Sequence, residues 1–365
     1  ANGSVPMTGG LTVGANTGAA GYDVNFYGTY NGYTESRMFW DASKSAFRAG
    51  LADGGQWDNA NVGAYSFASG YGTTASESSS TAMGEATIAS GYASTAMGSL
   101  SNASGVDSTA MGSGTNASAD YSTAMGFETT AINVVSTAMG FRTTASGENS
   151  TAMGEVTIAS GYTSTTMGSG TTASADYSTA MGVNTTASGI ASTAMGSYTT
   201  ASGGYSIAAG QWITAGPNAN TIALGTGVDD SNRMTNNTAN SLGIGFNSTV
   251  PTLFVGPAAG VGSYGNIGIR TTTPATSAAL EIAGTDGALL LPRLTTADQN
   301  ALTGVNGMLI YNSETNKFRG RENGAWADLG GGDFMANGSV PMTGGLSVGT
   351  NGTNGYDVNL YGNIG

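Results

Sequence analysis

Between Ser80 and Ser206 the chain shows neither the stripe of an amphipathic helix nor a long apolar run; small, polar and larger residues take turns in a short cycle. "STAMG" (Ser80 to Gly84) is followed by "TIASG" (Thr87 to Gly91), and both obey [ST]-x-A-x-G-x-x. The first Ser returns at Ser94, Ser108, Ser122, Ser136, Ser150, Ser164, Ser178, Ser192 and Ser206, so two sevens make a unit of fourteen with no insertion. A heptad helix is excluded by its chemistry. The a and d positions would hold Ser or Thr with Met, Ser or Gly, and each Gly costs about 1 kcal/mol in a helix. Five residues of strand and two of turn fit instead, with β-branched Thr in the strand and Gly at the bend, repeated as the coils of a parallel β-solenoid. Coils stacked about 4.8 Å apart give a rod on the order of 50 Å long, each bonded through its backbone to the coils above and below.

Alternation assigns the faces. Ser80, Ala82 and Gly84 point one way, Thr81 and Met83 the other. Small residues let two sheets approach closely, which predicts Ser/Thr, Ala and Gly inside. The outer face of one half then carries a ladder of Met83, Met97, Met111, Met125, Met139, Met153, Met167, Met181 and Met195, whereas the other half carries Ile88, Asn102, Asn116, Thr130 and Thr144. The alternative, methionines filling the interior of a monomer, would put the Ala/Gly face outside. A ladder open to water is an apolar stripe of the kind that marks an interaction surface. Its burial is worth on the order of 20 kcal/mol per chain before ordering entropy, and a symmetric homo-oligomer with the ladders on its axis is the simplest cover.

The pattern "STAMG" followed by "TTASG", over Ser66 to about Trp212, resembles the head repeats of trimeric autotransporter adhesins. That resemblance implies a left-handed parallel β-roll in a homotrimer. The family's usual aliphatics are replaced here by Thr81 and Met83, and no membrane-anchor barrel is visible in the sequence. Further on, "GNIGIRTTTPATSAALEIAG" and "GALLLPRLTTADQNALTGVNGMLIYNSETNKFRGRENGAWADL" resemble segments of phage tail-fibre and bacterial surface-fibre proteins.

The expected class is therefore all-β: an elongated homotrimeric fibre with a parallel β-roll of 14-residue coils flanked by small β-hairpin knobs. The expected organisation is an N-terminal hairpin module over 1–58, the roll over 59–212, a neck over 213–264 and a C-terminal hairpin module over 265–332. Residues 333–365 read as the start of a next copy of the N-terminal module. The C-terminal module is expected to hold a helix over Thr296 to Leu302 and a hairpin from Met308 to Leu329. "RMFWDASKSAFRAG" (Arg37 to Gly50) and "GMLIYNSETNKFRGR" (Gly307 to Arg321) share Met, apolar residues ending in an aromatic, a polar turn, then Lys, Phe and Arg. They read as knobs that cap the open ends of a roll. Trp40, Tyr311 and Trp326, with Trp57, are the candidate glycan-binding aromatics, weighed against plain core packing.

"ANGSVPMTGGL" (Ala1 to Leu11) reappears letter for letter at Ala336 to Leu346, with "GYDVN" following both copies. The sequence thus reads as one period of about 335 residues plus the start of the next, continued end to end by identical modules.

Composition narrows the chemistry. The 365 residues include 60 Gly, no Cys and no His. Disulfides, thiol nucleophiles, the usual zinc ligands and the commonest general base are all missing. A net charge of -13 with ten basic residues disfavours nucleic acid and anionic membranes as partners. No apolar run is long enough for a membrane-spanning helix, and the first residues lack a signal-peptide pattern and an initiator Met, as in a mature chain or a piece of a longer one. Asp229, Asp230 and Asn232, or Asp53 and Asp58, are weak Ca²⁺ candidates without the spacing of a calcium loop. No catalytic residue, cofactor or metal is expected. The expected function is a non-enzymatic shaft of an extracellular, cell-surface adhesin fibre, with host-surface glycans or proteins as partners. The alternative is a virion tail fibre or tailspike with receptor or glycan binding.

Overall fold

The protein is described here by a computed structural model covering residues 12–15, 22–30 and 33–329, with side chains from Ser36 onward. The copies of "ANGSVPMTGGL" and the segment 333–365 lie outside the described residues. The chain divides into two compact units, Ala1–Thr285 and Asp286–Gly365.

The first unit is built on a parallel β-roll. Five-residue strands such as Thr81–Glu85, Thr95–Ser99 and Thr109–Ser113 pair residue for residue with the strand fourteen positions on. Two-residue strands such as Ile88–Ala89 and Asn102–Ala103 form the opposite sheet in the same step. Between the sheets Ser80, Ala82, Thr87 and Ala89 have no exposed surface, and their equivalents in later coils repeat this. Alanine columns from the two sheets form the core, interrupted only where Thr166 stands between Ala152 and Ala180. The methionines lie outside, so the alternative with a methionine interior is overturned.

Local chemistry suits Ser at the opening of a unit, although the hydroxyls of Ser108, Ser164, Ser192 and Ser206 are buried without a partner. The hydroxyls of Ser80, Ser94, Ser122, Ser136, Ser150 and Ser178 each donate to the carbonyl three residues earlier, at 2.5 to 2.7 Å. The backbone N–H of the same Ser reaches the same carbonyl, as from Ser94 to Gly91 at 3.2 Å. The corner is thus tied twice by one residue, in the manner of Ser/Thr turns.

The glycines differ from expectation. Gly91 is buried as predicted, but Gly84 is exposed, with φ of 115°, and a Cβ there would lie 2.0 Å from the Gly98 carbonyl oxygen. It permits close stacking along the roll rather than close packing across it. The left-handed residue that turns each corner is the one before the Ser or Thr: Ala86, Ala93, Leu100, Asp107 and so on at every seventh position, including Val135, Val156 and Thr163.

At one end the strands Tyr22–Tyr30, Tyr33–Asp41 and Ala46–Leu51 form an antiparallel meander, with Thr12–Ala15 on its outer edge. Ala46–Leu51 then pairs in parallel with Phe67–Tyr71, so the meander's last strand is the roll's first rung. Arg48 stands over Ala68 on the inward column, fully buried, and donates to the Phe47, Ser66 and Ala75 carbonyls and to Ser66 Oγ. Burial pushes its guanidinium down to about 10, opposed by the nearby Asp41 carboxylate, so it stays charged at neutral pH. Trp57 closes the other side, 4% exposed, its Nε1 donating to the Thr73 carbonyl at 2.9 Å. This end is capped as the knob reading expected.

Past Trp212 the parallel ladder continues. Ile207 pairs with Ile222 and Ile222 with Leu242, so the step grows from fourteen to fifteen and then twenty residues. The break read as a neck is an enlargement of corners, and the roll runs to Gly245. Leu253–Val255 then pairs antiparallel, placing Phe254, 1% exposed, over Gly243 at the end of the inward column. Ile267–Ile269 and Leu280–Ile282 extend that sheet.

The second unit is a small sheet of Arg293–Leu294, Leu309–Asn312, Lys317–Glu322 and Ala325–Asp328. Its helix, Thr296–Ala301, ends one residue short of the expected Leu302 and is N-capped by Thr295, whose hydroxyl accepts from the Asp298 N–H. The expected hairpin is a three-stranded meander, because Asn323 and Gly324, both at positive φ, turn the chain a second time.

The two similar segments fold alike. Trp40 pairs with Phe47, and Tyr311 with Phe318. Asp41 Oδ1 accepts from the Ser43 and Lys44 N–H groups, and Asn312 Oδ1 from those of Glu314 and Thr315. Ser45 and Asn316 then take the left-handed conformation.

Candidate interaction face

The outer face of the long-strand sheet is three residues wide. In Thr123–Phe127 the outward side chains are Thr123, Met125 and Phe127, by the alternation that sends Ala124 inward. Because the pairing never slips from Thr81 to Met195, each type stands in a column. The methionines from Met83 to Met195 are hydrogen-bond-register neighbours throughout. They are half-buried within one chain, and Met167 is 38% exposed. The Thr and Met columns contain no charge. Charge enters at the third column, with Glu85 and Glu155, where Phe127 also stacks on Phe141 at 5.3 Å and 9°. Arg142 lies 5.0 Å over Phe141 and pairs with Glu128 at 2.7 Å.

The face is longer than the ladder read from the sequence. Ser69 precedes Met83, and Ala209, Leu224 and Ile244 follow Met195, while Ile207, Ile222 and Leu242 continue the Thr column. The signal was present in "TIALG" and "SLGIG", which keep the small-residue frame and place aliphatics at the outward positions. Irregular spacing hid them.

Seven stretches of this roll match the YadA head domain repeat (2 copies), lying between residues 62 and 211. Residues 268–343 match a phage tail like trimerisation region, which takes in strands of the first unit's far end and the described sheet of the second. The repeats of the roll are thus of the trimeric autotransporter adhesin type, followed by a region of phage-tail type. A comparison with curated proteins gives no match.

The aromatic candidates fall in different surroundings. Trp57 is a core residue, edge-on to Phe39 at 6.1 Å, with Arg37 against both rings. Trp40, on the meander, is 41% exposed. Tyr311 packs edge-on to Phe318 at 5.2 Å, and Trp326 lies under the Arg321 guanidinium at 5.6 Å; both belong to the second unit's sheet. Trp40 is therefore in a different unit from Tyr311 and Trp326.

The acidic candidates are engaged in turns. Asp229 accepts from the Asn232 side-chain amide and from the Asn232 and Ser231 N–H groups, which hold its carboxyl below the usual range, and Asp230 pairs with Arg233. Asp53 is likewise held low by the Tyr71 hydroxyl and the Gln56 amide. Among the described residues no group of three or more acidic side chains is placed to hold a metal ion, and no helix is long and apolar enough to cross a membrane.

Proposed function

We propose that this chain is a section of the shaft of a homotrimeric, extracellular adhesin fibre, three rolls packing their Thr/Met faces on a common axis. The observation that carries this is the uncharged, in-register methionine ladder, the one outward column that repeats a large apolar side chain coil after coil. Burying each Met contributes roughly 1.5 to 3 kcal/mol, and the match to a trimerisation region supports three as the number. The work of such a chain is reach, rigidity and display at the cell surface. The repeated "ANGSVPMTGGL" supports continuation by identical modules along the fibre. The phage-tail character of residues 268–343 supports a virion fibre as the second reading. Many tandem copies in the parent polypeptide favour the surface filament, and one or two copies beside tail genes the virion.

The test is native mass spectrometry and sedimentation of the full chain. A trimer is expected, lost or locally opened by Met125→Asp with Met139→Asp and retained with Thr130→Asp and Thr144→Asp on the opposite sheet. A stable monomer for the unaltered chain overturns the reading.

A further inference from the structure

One edge of the roll bears a row of tyrosines that the axial packing does not use. The edge is formed by the corners that precede each Ser of the long-strand sheet. On it stand Tyr65, Tyr92, Tyr121, Tyr162, Tyr177 and Tyr205, exposed by 40 to 71%. Tyr65, Tyr92 and Tyr121 occupy every second corner, as do Tyr177 and Tyr205, about 9.6 Å apart from the stacking of coils, while Tyr162 and Tyr177 stand on adjacent corners with their rings edge-on at 5.5 Å. Tyr65, Tyr121, Tyr177 and Tyr205 are also left-handed, with φ near 58°, a conformation that a bulky residue enters at a cost and that Asn or Gly would relieve.

Two corners carry a second group. "SADYSTAMG" occurs at Ser118 to Gly126 and again at Ser174 to Gly182, setting Asp120 beside Tyr121 and Asp176 beside Tyr177. Each Asp is exposed and fixed by one oxygen: Asp120 Oδ1 accepts from the Val106 N–H and Asp176 Oδ1 from the Tyr162 N–H, both at 2.9 Å. The other carboxylate oxygen is left to accept from a ligand. A flat ring beside an anchored carboxylate suits a sugar, whose C–H face lies on the ring while its hydroxyls donate to the carboxylate.

We propose that this edge binds an extended, neutral β-1,4-linked glycan running along the roll, with Asp120–Tyr121 and Asp176–Tyr177 as its main subsites. The two-coil step is about one disaccharide repeat of such a chain. Charge selects against the other polymers: the corners carry Glu77, Asp107, Asp120, Glu148 and Asp176 and no Lys or Arg, which repels acidic polysaccharides, nucleic acid and anionic lipid. Each subsite is weak, and the row strengthens binding by repeated engagement of one chain. The inference rests on the fibre reading in that it names the partner class of the shaft.

The test uses the full chain with cellohexaose and chitohexaose, and polygalacturonate as the anionic control, by titration calorimetry. Binding of a neutral hexaose, and weaker binding of its disaccharide, is expected. Tyr121→Ala with Tyr177→Ala should lower affinity about tenfold or more; the fold tolerates them, since Ala93 and Ala191 already occupy equivalent left-handed corners. Asp120→Asn with Asp176→Asn should weaken it less. Failure of both hexaoses to bind, equal affinity in the Tyr variant, or preference for polygalacturonate overturns the proposal. So does protection of Tyr121 and Tyr177 from hydroxyl-radical labelling in the unliganded assembly, which would put a second copy on this edge. Native mass read on the same samples separates the two readings: a trimer that binds no glycan sinks only this one, and a monomer that binds sinks only the axial packing.

Discussion

At the residue scale, two equally buried hydroxyls of the same coil can stand differently. Ser150 donates to the Gly147 carbonyl at 2.6 Å, whereas the Thr143 hydroxyl, seven residues earlier and equally buried, has no partner. Removing a satisfied bond costs about 1 kcal/mol, and replacing an unsatisfied hydroxyl by an isosteric methyl removes a penalty of about 1–3 kcal/mol. Ser150→Ala should therefore lower the denaturant midpoint and Thr143→Val raise it; the same sign for both would refute the distinction. Val156 gives a second test. It is 48% exposed and left-handed, at a corner where Asn149 and Asn184 take the same conformation elsewhere. Val156→Asn should stabilise by about 1 kcal/mol, seen as a higher midpoint with unchanged slope. This strain was illegible in the sequence. Gly marked a bend, but the residue that turns it is whatever precedes the Ser, and its identity varies from Ala86 to Leu100 to Val135 without a pattern to follow.

At the element scale, a strand's two faces are decided by its neighbours, which is why the coils were legible and their ends less so. Ser80, Ala82 and Met83 declared their directions because the same letters recur at every step. Arg48 did not, since a lone Arg on a strand reads as an exposed edge, while here it is a buried plug that adds a second donor to the Ser66 and Ala75 carbonyls, which already accept from the Phe47 and Gly63 N–H groups. The alikeness of the two hairpins was readable, and the Asp41 and Asn312 turns explain it. The second bend of the C-terminal meander was readable too, in "ENGA", where Asn323-Gly324 is a strong hairpin signal. The cap makes a prediction of its own. Trp57 anchors the first coil by ring packing and one hydrogen bond to Thr73, so Trp57→Ala should cost about 3–5 kcal/mol locally. Hydrogen exchange should then accelerate in Phe67–Tyr71 and fade toward later coils; acceleration spread evenly over the roll would mean that the cap is not where unfolding starts.

At the scale of the whole molecule, a repeat of two sevens makes the interior and the outer faces obey different symmetries. The inward pattern of Ser or Thr followed by Ala returns every seven residues, whereas Met returns every fourteen. The interior therefore accepts a shift by half a coil and the methionine face does not. Deleting the fourteen residues Thr123 to Ser136 should shorten the roll by one rung and leave the ladder continuous, so trimers should form with little loss. Deleting the seven residues Ser136 to Arg142 places "TTASG" (Thr143 to Gly147) where a long strand belongs, and every later methionine moves to the opposite sheet. Strand content by circular dichroism should be nearly the same in both variants, because the alanine columns still close. Native mass spectrometry should separate them, with the fourteen-residue deletion trimeric and the seven-residue deletion monomeric or irregularly associated, its ladder split between two faces. If the seven-residue deletion assembled as well as the parent, the methionine face would have no part in assembly, and the trimer would have to be held by residues outside the roll.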